Sequence, residues 1–294
     1  MSKYTRRDFL KTCALSAGAA YAAPHFAIGQ AGESPNNKLN MAVIGAGGAG
    51  NYGVRTSAAE NLVALCDVDK NRAGRAFSDH PDARRFEDFR VMFDKLANEI
   101  DAVCISTPDH THFPAAMAAM ELGKHVFVQK PMAHNIWQVR TLRKAMHHYN
   151  VKTQMGNQGH FLEGMNRIKE WVDAGVIGEV RQVDTWTNRP TRPWFIKQPT
   201  EPPTEQPIPA TLNWDLWLGP AQKRPFNEVY APVTWRGWWD FGCASLGDIG
   251  CHTFDAPFWT LDLGLPTRGE GECGEVTNPD YIDRKSTRLN SSHS

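Results

Sequence analysis

The sequence lacks the features that would place it at once in a specialised class. Neither sign of charge is in excess: 32 Lys and Arg balance 32 Asp and Glu, so there is no overall electrostatic footprint for nucleic acid. Cysteine is scarce, six in 294 residues, far below the density of a disulfide scaffold. Outside the first 31 residues no apolar run approaches the roughly 18 residues a membrane-spanning helix needs. Hydrophobic residues are not lacking, at 41%, and that excludes a disordered chain. What is left is a globular protein with the length of about two domains.

The two ends stand apart from the rest. Arg6-Arg7-Asp8-Phe9-Leu10-Lys11, followed by the mildly apolar stretch Cys13 to Ala23, resembles a twin-arginine export signal. Residues 1–31 are therefore expected to be signal and linker, and the protein periplasmic or secreted. After Asp283 the chain loses all periodicity. Residues 284–294 resemble translated sequencing-adapter readthrough, and the expectation is a non-native tail behind a second domain that is itself incomplete.

Between the ends, short apolar strands alternate with helical segments. Strands are predicted at 39–44, 62–66, 100–106, 126–128 and 151–155, with helices after the first glycine turn and at 69–78, 113–122 and 136–148. This alternation predicts right-handed crossovers and a doubly wound parallel α/β sheet over residues 38–158. From about residue 160 the texture changes. A helix at 162–174 and a strand at 179–187 precede a segment, 190–232, that holds ten of the nineteen prolines and so cannot be regular helix. Residues 159–283 are expected to form an α+β domain on an open, largely antiparallel sheet. Eight of the ten tryptophans fall between Trp186 and Trp259, where rings can pack ordered loops or stack on a sugar.

Three constellations carry chemistry. Gly45-Ala46-Gly47-Gly48-Ala49-Gly50 directly follows the first strand, and Asp67 closes the second. The order of strand, glycine turn, helix, strand and acid is that of a dinucleotide site. Gly45 permits the turn, Gly47 and Gly48 let backbone approach a pyrophosphate, Gly50 allows close helix–strand packing, and Asp67 accepts from the ribose hydroxyls. Its charge would repel a 2′-phosphate, which favours NAD over NADP. The second constellation is Thr107-Pro108-Asp109-His110-Thr111-His112 after the third strand, with Gln129-Lys130-Pro131 after the next. Both lie at carboxyl ends of parallel strands, where open α/β sheets bind ligands. Thr107, Pro108, His112, Gln129, Lys130 and, after the last strand, Asn157 are candidates for the cofactor cleft, with Gln158 beside them. Asp109, His110 and His112 could alternatively chelate a metal, although nothing beyond this segment supplies a further ligand at a recognisable spacing; His112 could also simply cap a helix. The third is Leu246-Gly247-Asp248-Ile249-Gly250-Cys251-His252, which puts Asp248 and His252 on one helical face. A histidine beside a carboxylate suits proton transfer near neutral pH. Arg236, between Trp235 and Trp238, is a candidate sugar contact.

These motifs, in this order over about residues 38–265, resemble the Gfo/Idh/MocA oxidoreductases, the glucose–fructose oxidoreductase and inositol dehydrogenase family. The resemblance implies a Rossmann domain joined to a sheet-based second domain that commonly forms an oligomer interface. It also implies NAD or NADP as cofactor and catalysis by a lysine with an Asp-x-x-x-His pair, here Lys130, Asp248 and His252. Gln129 stands where the family usually has glutamate. The implied activity is hydride transfer between nicotinamide and a sugar or polyol hydroxyl. An NAD-dependent glycoside hydrolase with tightly held cofactor, or a non-catalytic sugar-binding protein on the same fold, stays open.

Overall fold

The computed structural model describes residues 38–189, 194–197, 199–273, 278–281 and 287–292. The proposed export signal lies outside them. Six parallel strands form one sheet in the order β3-β2-β1-β4-β5-β6: β1 Asn40–Ile44, β2 Asn61–Cys66, β3 Arg84–Phe86, β4 Ala102–Ile105, β5 His125–Gln129 and β6 Thr153–Gly156. The intervening helices are α1 Asn51–Ser57, α2 Gly74–Asp79, α3 Phe89–Leu96, α4 Asp109–Glu121 and α5 Ile136–His148. The strand order reverses between β1 and β4, and the carboxyl ends of those strands open the crevice where ligands bind in such sheets.

Side-chain alternation along the strands explains why the sheet is covered on both faces. Ala42, Ile44, Val103, Ile105, Val126 and Val128 pack with Met92, Ala116, Met120 and Leu142 of α3, α4 and α5. The residues between them, Val43, Leu65 and Cys104, point the other way onto Val54 of α1 and Ala76 and Phe77 of α2. The central strands β1 and β4 are therefore apolar on both sides, as buried parallel strands must be. Cys66 and Cys104 are buried free thiols in this core.

Four elements differ from what the sequence pattern suggests. The edge strand β3 and the helix α3 behind it escape the pattern, because Arg84 and Arg85 are exposed and β3 is only three residues long. Helix α4 begins at Asp109 rather than Phe113, since Pro108 at its N-cap supplies the fixed φ of a helix entry and Asp109 suits the first turn. The strand expected at 179–187 does not form: those residues are largely exposed and pair with no strand among the described residues. Alternation alone cannot make a strand without a ladder partner.

Beyond β6 come α6 Glu163–Asp173, α7 Trp214–Leu218, α8 Ala244–Thr253 and α9 Asp255–Thr260. Strand β7, Arg268–Cys273, pairs antiparallel with β8, Thr287–Ser292, which lies in the segment read from the sequence as a non-native tail. A second core gathers Trp214, Trp217, Phe226, Tyr230, Trp235, Trp238, Phe241 and Tyr281. Trp214 and Trp217 stack at 4.7 Å, and Trp238 sits edge-on to Tyr281 at 5.1 Å. Most of the tryptophan-rich region is thus packing, while Trp186 and Trp239 remain exposed.

Ile105 is fully buried at the end of the central strand β4. Ile105→Ala is expected to lower stability by about 2–5 kcal/mol, read as a fall in urea midpoint at constant slope.

Candidate functional site

The glycine turn is built by close approach of backbone to backbone. Gly45 has φ +83°, donates its N–H to the Cys66 carbonyl at 2.8 Å, and leaves no room for a side chain: a Cβ there would lie 2.7 Å from the Ser106 carbonyl oxygen. Gly50 presses still more tightly on the Gly45 carbonyl. Gly48, with φ +58°, opens a short 3-10 turn, Gly48–Gly50, that leads into α1. Asp67 braces the turn from the side. Its Oδ2 accepts from Gly47 N–H at 2.8 Å and its Oδ1 from Asp69 N–H at 2.9 Å. Burial pushes its carboxyl above the usual range, opposed by those two donors. Arg72, missed in the sequence, lies against Gly47 and Gly48 with its guanidinium over the turn. A cation five residues after the acid was the available signal. A turn that no Cβ could occupy, a helix entry and a guanidinium together fit a dinucleotide's phosphates.

Two buried polar atoms at the sheet edge lack any hydrogen-bond partner among the described residues: Thr107 Oγ1 after β4 and Asn157 Oδ1 after β6. Lys130 follows β5, between them in the sheet. Buried polar groups without partners are uncommon and costly, so these two oxygens fit a bound polar ligand such as a nicotinamide cofactor. The other Asn157 atom, Nδ2, donates to the Cys251 carbonyl at 2.9 Å. Gln129 ends β5 against Gly156, where a Cβ would meet its Cδ at 3.2 Å.

Within the Thr-Pro-Asp-His-Thr-His segment, His112 departs from the cofactor contact expected of it. His112 is buried with Nδ1 2.7 Å from the Pro131 carbonyl and Nε2 2.8 Å from the Thr107 carbonyl. It braces the turns after β4 and β5, and no ring nitrogen is left for a cofactor. His110 is buried between Trp217 and Phe241, at 5.3 and 5.2 Å, with Nε2 3.1 Å from the Trp217 carbonyl. Burial pushes its imidazole down to about 4, so the ring is neutral. Asp109 accepts from the Cys243 backbone N–H at 3.1 Å. Burial raises its carboxyl to about 7, against the pull of Arg236, Cys243 and Lys130. The three side chains are engaged separately and do not converge on a metal.

Asp248 is the hub of the site. Lys130 Nζ donates to its Oδ1 at 2.8 Å and to its carbonyl at 2.6 Å. Arg189 reaches Oδ2 at 2.7 Å, and Arg236 reaches Oδ1 at 3.2 Å. Burial alone would raise the Asp248 carboxyl, but Lys130 and Arg236 outweigh it and hold it below the usual carboxylate range. Arg189 was not foreseen, because it lies outside any motif. Arg236 stacks on Trp235 at 4.3 Å and on Trp194 at 5.1 Å. One turn beyond Asp248 on α8, His252 has Nδ1 3.2 Å from the Gln158 carbonyl. Burial first, then the positive charge of Lys130, lower its imidazole below the ordinary value. With Nδ1–H donating to Gln158, Nε2 carries the lone pair of a base. The β5 turn and α8 therefore bring Lys130, Asp248 and His252 together at the carboxyl edge of the sheet.

Comparison with known proteins gives the same outline. Residues 39–157 match an oxidoreductase family model with an NAD-binding Rossmann fold, and residues 163–264 match the α/β C-terminal domain model of the same family. A glycosyl hydrolase family 109 protein from Solibacter usitatus is 32% identical over 202 residues, 61% of this chain and 45% of that protein. An inositol 2-dehydrogenase from Burkholderia multivorans is 30% identical over 146 residues, 48% of this chain and 43% of the relative. The chain thus spans under half the length of these curated relatives. Among solved structures, the WlbA dehydrogenase from Bordetella pertussis, in complex with NADH and UDP-GlcNAcA, superposes with a TM-score of 0.64 at 17% identity. The match covers 86% of this chain and 68% of that one and bears on the fold alone.

Removing the hub carboxylate would leave Lys130, Arg189 and Arg236 crowded without their shared partner. Asp248→Ala is expected to cost about 3 kcal/mol or more of stability in urea denaturation; a loss below about 1 kcal/mol would mean that the cluster does not depend on it.

Proposed function

The chain belongs to the Gfo/Idh/MocA oxidoreductase family, and from that premise we propose that it transfers a hydride between a nicotinamide cofactor and a hydroxyl-bearing carbon of a sugar or polyol. The observation that carries this reading is the contact of Lys130 with Asp248, one helical turn from the neutral imidazole of His252.

When bound, the nicotinamide supplies the hydride acceptor. Gly45, Gly47, Gly48 and Gly50 would hold the cofactor's phosphates, with Arg72 over them and Asp67 facing the ribose. That acid favours NAD, and Arg72 could instead receive a 2′-phosphate. Thr107 Oγ1 and Asn157 Oδ1 would contact the reactive end. His252 Nε2 takes the hydroxyl proton, as befits a base kept neutral at pH 7. Lys130 donates to the same oxygen and stabilises the negative charge that develops there. Asp248 orients Lys130, and its two arginines hold the carboxylate fixed in turn. Arg236 and Trp194 flank this cluster and suit a polyhydroxylated ring, which combines polar edges with an apolar face.

A second reading, redox-neutral glycoside hydrolysis on a retained cofactor, is favoured by the extent of the match to the glycosyl hydrolase family 109 protein. Free nicotinamide is scarce outside the cytoplasm, so the export signal we read at Arg6 and Arg7 would suit a cofactor that stays bound.

Denaturing the purified protein should release a nicotinamide nucleotide identifiable by mass. Addition of a sugar or polyol substrate should raise absorbance at the reduced-nicotinamide band. Release of sugar from a glycoside without added NAD would select the second reading. His252→Ala should lower turnover by roughly 10²–10⁴-fold with cofactor still bound; unchanged turnover removes His252 from its role. In the wild type the acidic limb of kcat/KM should fall below the ordinary imidazole value of 6.5, because the folded environment favours the neutral ring. A reporter fused after residue 31 should reach the periplasm, and Arg6→Lys with Arg7→Lys should keep it in the cytoplasm.

A further inference from the structure

Helix α8 carries both Asp248 and His252, yet its first residues are held from the other side of the cleft. Three consecutive residues at its entry are gripped by groups of the parallel-sheet domain. His110 donates its backbone N–H to the Phe241 carbonyl at 3.3 Å, the His134 ring lies 3.2 Å from the Gly242 carbonyl, and the Asp109 carboxylate takes the Cys243 N–H at 3.1 Å. The next residue, Ala244, has φ +53°, a left-handed conformation that a residue with a Cβ keeps only where its surroundings fix it. Asp109 is 4% exposed and starts α4 directly after the β4 turn.

We propose that Asp109 is a positioning residue: by holding the Cys243 N–H it fixes the strained entry of α8, and so places Asp248 and His252 against Lys130. Of the two side-chain contacts, that of His134 is only half-buried, while that of Asp109 is buried. Lys130 of the β5 turn and Arg236 face it as cations. The thiols of Cys243 at the entry of α8 and of Cys251 on that helix face it, while His110 beside it on α4 is committed to Trp217. The helix then acts as a lever. His252 lies nine residues past Cys243, about 13 Å along the axis at 1.5 Å per residue. A tilt of about 10° at the entry would therefore move the imidazole by about 2 Å, and a misplacement of about 1 Å can cost on the order of 10²-fold in rate.

The proposal rests on the hydride-transfer reading for its kinetic arm only; its hydrogen-exchange arm does not. In Asp109→Ala, kcat for NAD reduction by a sugar substrate should fall ten- to hundredfold, while KM and the calorimetric Kd for NAD change by less than threefold. Amide exchange over 243–248 should accelerate at least tenfold. Asp109→Asn keeps an acceptor of the same size and should restore kcat to within threefold of wild type. Should the alanine variant fail to fold, Asp109→Ser, whose hydroxyl is too short to reach Cys243, takes its place with the same expectations. Wild-type exchange in the alanine or serine variant, or an asparagine variant as impaired as alanine, overturns the proposal. If the wild type reduces no cofactor with any sugar, the functional reading fails and the exchange arm alone decides the role of Asp109.

Discussion

One carboxylate organises the candidate site. Asp248 is buried, and a buried anion is tolerated only with partners arranged around it. Here it has three cations from separate parts of the chain: Lys130 from the turn after β5, Arg189 from the extended segment, and Arg236 from the tryptophan-rich loops. None of these parts is adjacent in sequence, so the carboxylate ties the sheet edge to the loops that face it. The same interaction leaves the lysine ammonium fixed at the carboxyl end of the sheet. Structure and chemistry thus meet in a single side chain.

The imidazole one turn away gains from this arrangement. Lys130 lowers the proton affinity of His252, and Gln158 takes its Nδ1–H. A base of this kind is ready at neutral pH without a carboxylate directly behind it. That differs from a His–Asp pair in which the acid favours the charged ring. Here Asp248 serves the lysine first, and its influence on the histidine is the smaller one.

Much of this was legible in the sequence because it is local. The glycine turn, the buried strands and the four-residue spacing of Asp248 and His252 are properties of short segments, and backbone geometry converts them directly into structure. What was not legible depends on partners far along the chain. Arg84 and Arg85 hide β3 because an exposed edge strand needs no apolar pattern. Arg189 joins the hub from an irregular segment that no motif marks. Asp109, His110 and His112 look like a ligand-binding loop by composition. Only the approach of Cys243, Trp217 and Pro131 shows that the first holds the entry of α8, the second engages the second core and the third braces two turns. The alternating residues at 179–187 misled for the converse reason: their pattern is local, but a strand also needs a neighbour.

The docking of His110 against Trp217 and Phe241 makes the aromatic core of the second half incomplete without a residue donated by the first. The two halves are therefore not interchangeable modules. Any exchange of nucleotide-binding domains between relatives would have to carry the Asp109–His110 pair along with it, and selection at these positions would track the loops across the cleft more closely than the strand that precedes them.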